Sequence, residues 1–488
     1  MKNVSLILML WLGIIGPVAV TQAQPCDCTS NFDYLVTKVK TNYIGYADKV
    51  TAANQQSFDR FTDSLRQESR HVKPAHCIAI LLNWINFFDD SHLVVFLDDS
   101  PDNAAEIQAL LTGLEKIDKP EAEIRAYLDQ NKKNLHPIEG IWDDELKDYQ
   151  IAIIKDKTGA RDYVGFVLKS HSRLWQPGHV KMDIRKTGKN YTAAYYNRYH
   201  IPIETSLKLT ASKLEVVEYA GWTKTYPVTS ANRTVVRTVV AENREDEDKP
   251  QFKKLDEETC LLIVPSFNLA YKPAVDSLLR HNRNTLLCTP NLIIDVRSNW
   301  GGNNATFDEI LPFLYTQPIL TQPYSVLATE DNIALYQQQL AGPNLSQEQK
   351  ESLQESIRLL TQHKNERVQI YPVDTITLDS VYAYPARVGV LMNKWSASST
   401  EFFLQRARQS SKVTLFGEPS LGGIDYTHYL RNLPLPCKIY QYHYPMARLD
   451  SLDVTKSSRV KPDIILTEDK AQWLEVVRSQ LKKKLYSK

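Results

Sequence analysis

Neither sign of charge is in excess in this chain: Lys and Arg total 58 against 57 Asp and Glu, a net charge of +1. Nucleic acid and anionic membrane surfaces are therefore not expected partners, since both are held by an excess of positive charge. No glycine-rich phosphate loop of the Walker or dinucleotide type is present. His and Cys never fall in zinc-like spacing, and Cys26-Asp27-Cys28 is too short for a C-x-x-C redox motif. No metal or other cofactor is expected. Apart from the N-terminal stretch, no run is long and apolar enough to span a bilayer.

The N-terminal stretch has the form of an export signal. Lys2 precedes an apolar segment from Val4 to Val20, broken by glycine and Pro17, and Thr21-Gln22-Ala23 offers a small-residue cleavage site. Residues 1–23 are read as a signal peptide rather than an anchor. No lipidation box precedes Cys26. A periplasmic or secreted protein follows, and export permits disulfides. The six cysteines (Cys26, Cys28, Cys77, Cys260, Cys288 and Cys437) allow 15 connectivities. The expected link ties Cys26 or Cys28 to Cys77; the alternative is free, buried thiols.

Three regions of different pattern follow. Residues 24–133 read as an all-helical domain, poor in Pro and Gly, with Phe32, Leu35, Val36 and Val39 at helical spacing. Further helices are predicted near 55–70, 75–88 and 103–116, and after Pro120. Residues 134–248 carry regularly spaced strand-like runs at 149–154, 163–168, 180–185 and 191–196, separated by turns such as Lys186-Thr187-Gly188-Lys189-Asn190. They predict an antiparallel sandwich or small barrel. The early Glu139-Gly140-Ile141-Trp142 suggests a lipocalin-type barrel by analogy. The charged run from Glu242 to Lys249 reads as a linker. Residues 249–488 alternate strands (261–264, 292–296, 388–392, 413–416) with helices (303–315, 345–363, 399–409), which is α/β packing on a partly parallel sheet.

Two strand ends in this last region can carry chemistry. Val388 to Met392 runs into Ser396-Ala397-Ser398-Ser399-Thr400-Glu401, a small-residue turn that opens a helix. A hydroxyl there sits among unpaired N–H groups and the positive end of the helix dipole. Ser398 therefore reads either as a nucleophile or, because Ser398-x-x-Glu401 is also a capping box, as a helix cap. Leu292 to Val296 runs into Arg297-Ser298-Asn299-Trp300-Gly301-Gly302. That glycine turn either lets backbone N–H groups approach a substrate oxygen or is merely a tight connection.

In order, Leu292-Ile293-Ile294-Asp295-Val296-Arg297-Ser298-Asn299 with Gly301-Gly302, then Ser396 to Glu401, then Gly417-Glu418-Pro419-Ser420-Leu421-Gly422-Gly423, resemble the tail-specific or C-terminal processing serine protease family. Lys461-Pro462-Asp463-Ile464 is similar to that family's closing Pro-Asp-Ile. The resemblance covers about 255 to 470 and implies a ClpP/crotonase-like core, a protein or peptide substrate, and Ser398 as nucleophile. It implies oxyanion donors at the backbone N–H of Gly301 or Gly302 and at Ser399.

One branch of the family takes its base from a lysine at the position matched here by Gly423. The other branch looks like the tricorn core protease, with a base histidine and an adjacent serine on an N-terminal helical segment. Phe88-Asp89-Asp90-Ser91-His92 resembles that segment, so His92 is the expected general base and Ser91 its orienting neighbour. The branch's relay carboxylate matches near Lys456, which is not acidic; Asp450 and Asp453 are the nearby substitutes. The expected activity is an exported serine endopeptidase. The alternatives are a catalytically decayed peptide-binding or scaffold protein on the same fold, and an esterase sharing the site. The sequence leaves the oligomeric state open.

Overall fold

The computed structural model describes residues 27–145, 148–227, 249–343, 345–453 and 459–483. The signal-peptide reading, Cys26, most of the charged linker and Lys456 lie outside the described residues.

The N-terminal region begins with helices Cys28–Asn42, Gln55–Ser69 and Cys77–Asn86. Their apolar faces meet in an aromatic cluster of Phe32, Phe58, Trp84 and Phe88, all fully buried, with Phe32–Trp84 and Trp84–Phe88 edge-on. A Cys28–Cys77 disulfide joins the first and third of these helices. Cys437 is also disulfide-bonded, and Cys260 and Cys288 are free. Helices Ala104–Leu111 and Glu121–Gln130 follow.

This region is not all helical. The strand Val94–Leu97 pairs antiparallel with Tyr440–His443, so that Val94 faces His443 and Leu97 faces Tyr440. Four residues are too short a run to stand out from a helical background, and their partner lies near the far end of the chain.

The inserted region is a closed antiparallel barrel of eight strands, each paired to its sequence neighbour, from Gly140–Asp144 to Ala220–Tyr226. Closure comes from pairing of the first strand with the last, Ile141 opposite Tyr226. Of the two expected forms, the barrel is the one adopted. Trp142, Ile151, Ile153, Met182, Ile184 and Trp222 are buried in one cluster. Alternate residues Ile141, Ala152 and Val164 pack instead against Ile124 and Leu128 of the preceding helix, which is the period-two signature of a strand.

The C-terminal unit is built on a six-stranded sheet. Its strands are, in spatial order, Gln251–Lys254, Thr259–Ile263, Asn291–Asp295, Arg387–Met392, Val413–Gly417 and Ile464–Ile465. The first pairing is antiparallel and the rest are parallel. One face packs Leu262, Ile294 and Val390 on Val275, Leu279 and Phe403. The other packs Leu261, Ile293 and Leu391 on Trp473, Val477 and Leu481. Cover on both faces explains why these strands read as unbroken apolar runs. A second sheet, in the order Arg367–Tyr371, Tyr324–Leu327, Ala447–Leu449 and Tyr426–Thr427, stands beside the strand ends. The expected helix at 303–315 is broken into two short 3-10 turns and Leu311–Leu314.

Candidate active site

The strand Arg387–Met392 ends at the carboxyl edge of the parallel sheet, and the helix Ser399–Ala407 departs from it. Ser398 forms the corner with φ +54° and ψ −121°. Positive φ in a residue with a Cβ is costly and is concentrated at functional sites, including the elbows that expose nucleophiles. The hydroxyl lies 3.2 Å from His92 Nε2, across 306 positions of sequence.

His92 reaches this place because the residues around it are held on both sides. Phe88 is fully buried in the aromatic cluster, and Asp89 reverses the chain with φ +43°. Asp90 then accepts the His92 N–H at Oδ1 (2.8 Å) and the Tyr43 hydroxyl at Oδ2 (2.7 Å). The strand Val94–Leu97 follows at once and is pinned to Tyr440–His443. Burial pushes the imidazole pKa below its ordinary value, against the Asp90 charge and the Tyr426 carbonyl. His92 Nδ1 is buried; among the described residues no side chain bonds to it, and the Tyr426 carbonyl is the backbone acceptor that acts on the ring. Among the described residues Ser91, the expected orienting neighbour, makes no hydrogen bond to the buried Nδ1 of the ring. It is exposed, and its hydroxyl is directed by the turn toward Gly423, where a Cβ would meet it at 3.2 Å.

Glu401 does what a capping box requires in accepting the Ser398 N–H (3.0 Å). The Glu401 N–H donates to the Ser398 carbonyl (2.8 Å), and the Ser398 hydroxyl also stands within reach of His92. The Glu401 carboxylate also accepts from Ser420 Oγ (2.5 Å), the Gly422 N–H (3.0 Å) and the Gly423 N–H (2.7 Å). Burial raises its pKa, opposed by these four hydrogen bonds. One side chain therefore ties the Ser398 turn to the glycine pair that abuts His92.

The glycine turn approaches from the neighbouring strand. A Cβ on Gly301 (φ +95°) would stand 2.7 Å from the Ala397 carbonyl and 2.8 Å from Ser398 Cβ, so only glycine fits. The Gly301 N–H, however, donates to Asn299 Oδ1 (2.9 Å). Of the two expected donors Gly302 is the one left open. Among the described residues neither its N–H nor that of Ser399 has a protein acceptor, while Ser399 Oγ donates to the Gly302 carbonyl (2.9 Å).

Asn299, fully buried, was not singled out from the sequence. Its Oδ1 also accepts the Phe267 N–H (3.2 Å), its Nδ2 donates to the Val264 carbonyl (3.0 Å), and its own carbonyl accepts Thr400 Oγ1 (2.9 Å). An Asn two residues before Gly-Gly in a strand-end turn is a signal for this clamp, since its side chain bonds the backbone two residues on.

Neither substitute carboxylate joins the pair. Asp450 is held by Ser325 Oγ (2.5 Å) and Gln369 Nε2 (2.5 Å) in the second sheet, and Asp453 makes no hydrogen bond to the buried His92 Nδ1.

Ser398, His92, Gly302 and Ser399 open on one cleft of about 830 Å³. Its walls include Leu320, Tyr371, Val373, Phe402, Tyr429 and Leu430, enough apolar surface for a peptide segment. No group of side chains among the described residues is arranged to hold a metal ion, and no described helix is long and apolar enough to cross a membrane.

Residues 258–466 match the model of Peptidase family S41. No curated protein matches the chain at a significant level. Among solved structures, a serine-to-alanine mutant of CPAF aligns over 94% of this chain and 96% of its own, at 11% identity and a TM-score of 0.50. Mature CPAF covers the same shares at 11% identity with a TM-score of 0.48. A putative peptidase from Parabacteroides merdae covers 93% and 96% at 14% identity with a TM-score of 0.41. The first of these likenesses is one of fold. Residues 258–466, with a serine at the strand-to-helix corner and a glycine turn against it, form the part of this chain that matches peptidase family S41, the tail-specific serine peptidases.

Proposed function

We propose that the protein is an exported serine endopeptidase that works through a Ser398 acyl-enzyme with His92 as general base. The observation that carries this is the 3.2 Å approach of His92 Nε2 to Ser398 Oγ at a residue of positive φ. The neutral imidazole takes the hydroxyl proton as Oγ bonds to the peptide carbonyl carbon. The carbonyl oxygen, now an oxyanion, lies between the Gly302 and Ser399 N–H groups at the start of a helix. Collapse breaks the C–N bond, and His92 returns its proton to the leaving amine. Water then loses a proton to His92 as its oxygen bonds to the ester carbon; the C–Oγ bond breaks, His92 returns the proton to Ser398 Oγ, and the carboxylic acid product leaves.

Among the described residues no carboxylate bonds to Nδ1, and the ring is held through the Asp90 anchor, the Tyr426 backbone and contact with Gly423. Export is supported by the Cys28–Cys77 disulfide, which an oxidising compartment permits. The same missing carboxylate favours a second reading, a scaffold that has lost its chemistry.

Labelling of the mature protein by a fluorophosphonate tests both. Labelling of the wild type, lost in Ser398→Ala and His92→Ala, is the expected result. A wild type that neither labels nor cleaves peptides while melting as a folded protein would favour the scaffold.

A further inference from the structure

One charged group in the cleft has no part in the chemistry above. Arg406 lies on the helix that begins at the nucleophile. Ser399, Phe402 and Arg406 are spaced i, i+3 and i+7 on one stripe of that helix, and all three line the cleft. A rise of about 1.5 Å per residue puts Arg406 about 12 Å along the cleft from Ser398.

The side chain is 15% exposed. Its guanidinium carbon packs 5.1 Å from the centre of the Phe307 ring. Asp308 is the paired carboxylate, but at 4.0 Å from Nη1 it is too far for a hydrogen bond and is itself 55% exposed. Asp374 acts on Arg406 by charge alone; its Oδ1 accepts the Thr375 N–H. The contrast within the molecule is plain: Arg297 donates to Asp295, and Arg448 to Asp48, at 2.6 Å. Among the described residues no acceptor takes the five donors of Arg406, and none of them is sealed from solvent, so they stand open to the cleft that holds Ser398.

We propose that Arg406 is a specificity residue that receives a carboxylate of the peptide substrate, three to four residues from the bond that Ser398 cleaves. The inference rests on reading the cleft as a peptidase site. The spacing follows from dividing about 12 Å by the roughly 3.3 Å that each residue of an extended peptide spans. A planar guanidinium presents a fork that a carboxylate fills with two parallel hydrogen bonds. Asp308 and Asp374 offset part of the charge without consuming its donors, which favours a two-oxygen acceptor over a single carbonyl. The carboxylate belongs either to an Asp or Glu side chain or to the peptide's own C-terminus.

Internally quenched synthetic peptides, cleaved by the full chain, test this. One arm compares Glu with Gln at each position two to five residues from the scissile bond. The other compares free-acid with amidated C-termini at the same distances. The wild type is expected to favour the carboxylate by about 10- to 100-fold in kcat/KM in one arm, as expected for hydrogen bonds to a charged group. Arg406→Gln should bring the paired peptides within about twofold, mainly through KM, and Arg406→Lys should recover only part of the preference. Fluorophosphonate labelling of each variant shows that its nucleophile is still formed. Cleavage without preference in the wild type, or a preference that survives in Arg406→Gln, overturns the inference alone. A wild type that neither labels nor cleaves overturns the peptidase reading beneath it.

Discussion

The imidazole of His92 rests against Gly423: a Cβ on that glycine would stand 3.2 Å from His92 Cε1 and 3.5 Å from Glu401 Oε2. Gly423 is also the position that matches the lysine of the lysine-dependent branch of the family. On the proposed mechanism, any longer side chain at Gly423 would enter the volume that the His92 ring occupies.

Gly423→Ala should therefore move the imidazole by a few tenths of an ångström. The expected result is about a tenfold fall in kcat with KM little changed, because small misplacements of a catalytic group weigh on the transition state. Gly423→Lys should displace the ring and abolish fluorophosphonate labelling. Wild-type rates in both variants would show that His92 is not the base.

The pH profile carries a sign. Burial lowers the His92 pKa from its ordinary 6.5, and a general base must be unprotonated to work. Activity is then lost as pH falls through the lowered pKa, so the acid limb of kcat/KM should lie below pH 6.5. A limb at or above that value, measured with a neutral peptide, would contradict the assignment.

Glu401→Gln removes a carboxylate oxygen that accepts the Ser398 and Gly423 N–H groups, and it turns an amide NH₂ on part of the cluster. The cost to folding should be about 2–4 kcal/mol, read as a lowered denaturation midpoint. Because Glu401 positions both the nucleophile's turn and the glycine against His92, kcat should fall further than this destabilisation accounts for under folding conditions. Glu401→Asp, which keeps the charge but shortens the reach, should recover stability more than rate.

Reduction of Cys28–Cys77, or Cys77→Ala, should destabilise the N-terminal region. The bridge closes a loop of sequence separation 49, for which chain entropy gives about 4 kcal/mol. Thermal melts with and without a thiol reductant check this, and activity should fall in step because Cys77 opens the helix that leads to Phe88 and His92.

Much of the site was legible in the sequence because its turns are local. Ser398 and Gly301-Gly302 each follow a buried strand, and sequence spacing alone marks a strand, a small-residue turn and a helix. The Cys77 helix and the barrel strands are visible for the same reason, each having its own period. Most of what escaped depends on contacts between distant segments. Val94–Leu97 is a strand only because Tyr440–His443 lies beside it. The capture of the Gly301 N–H by Asn299 is a side-chain event that leaves no periodic trace. Glu401 was readable as a cap, but its bonds to Ser420, Gly422 and Gly423 needed the fold.

The pairing of Val94–Leu97 with Tyr440–His443 also sets an order of events during synthesis. A ribosome that has made His92, the barrel and even Ser398 has not yet made the strand that docks the histidine's segment. On the proposed mechanism, a chain that stops short of Tyr440 lacks the strand that pins the segment after His92, and its Ser398 and His92 are not yet held together. Truncations ending before Tyr440 should keep a folded barrel and yet be silent toward a fluorophosphonate.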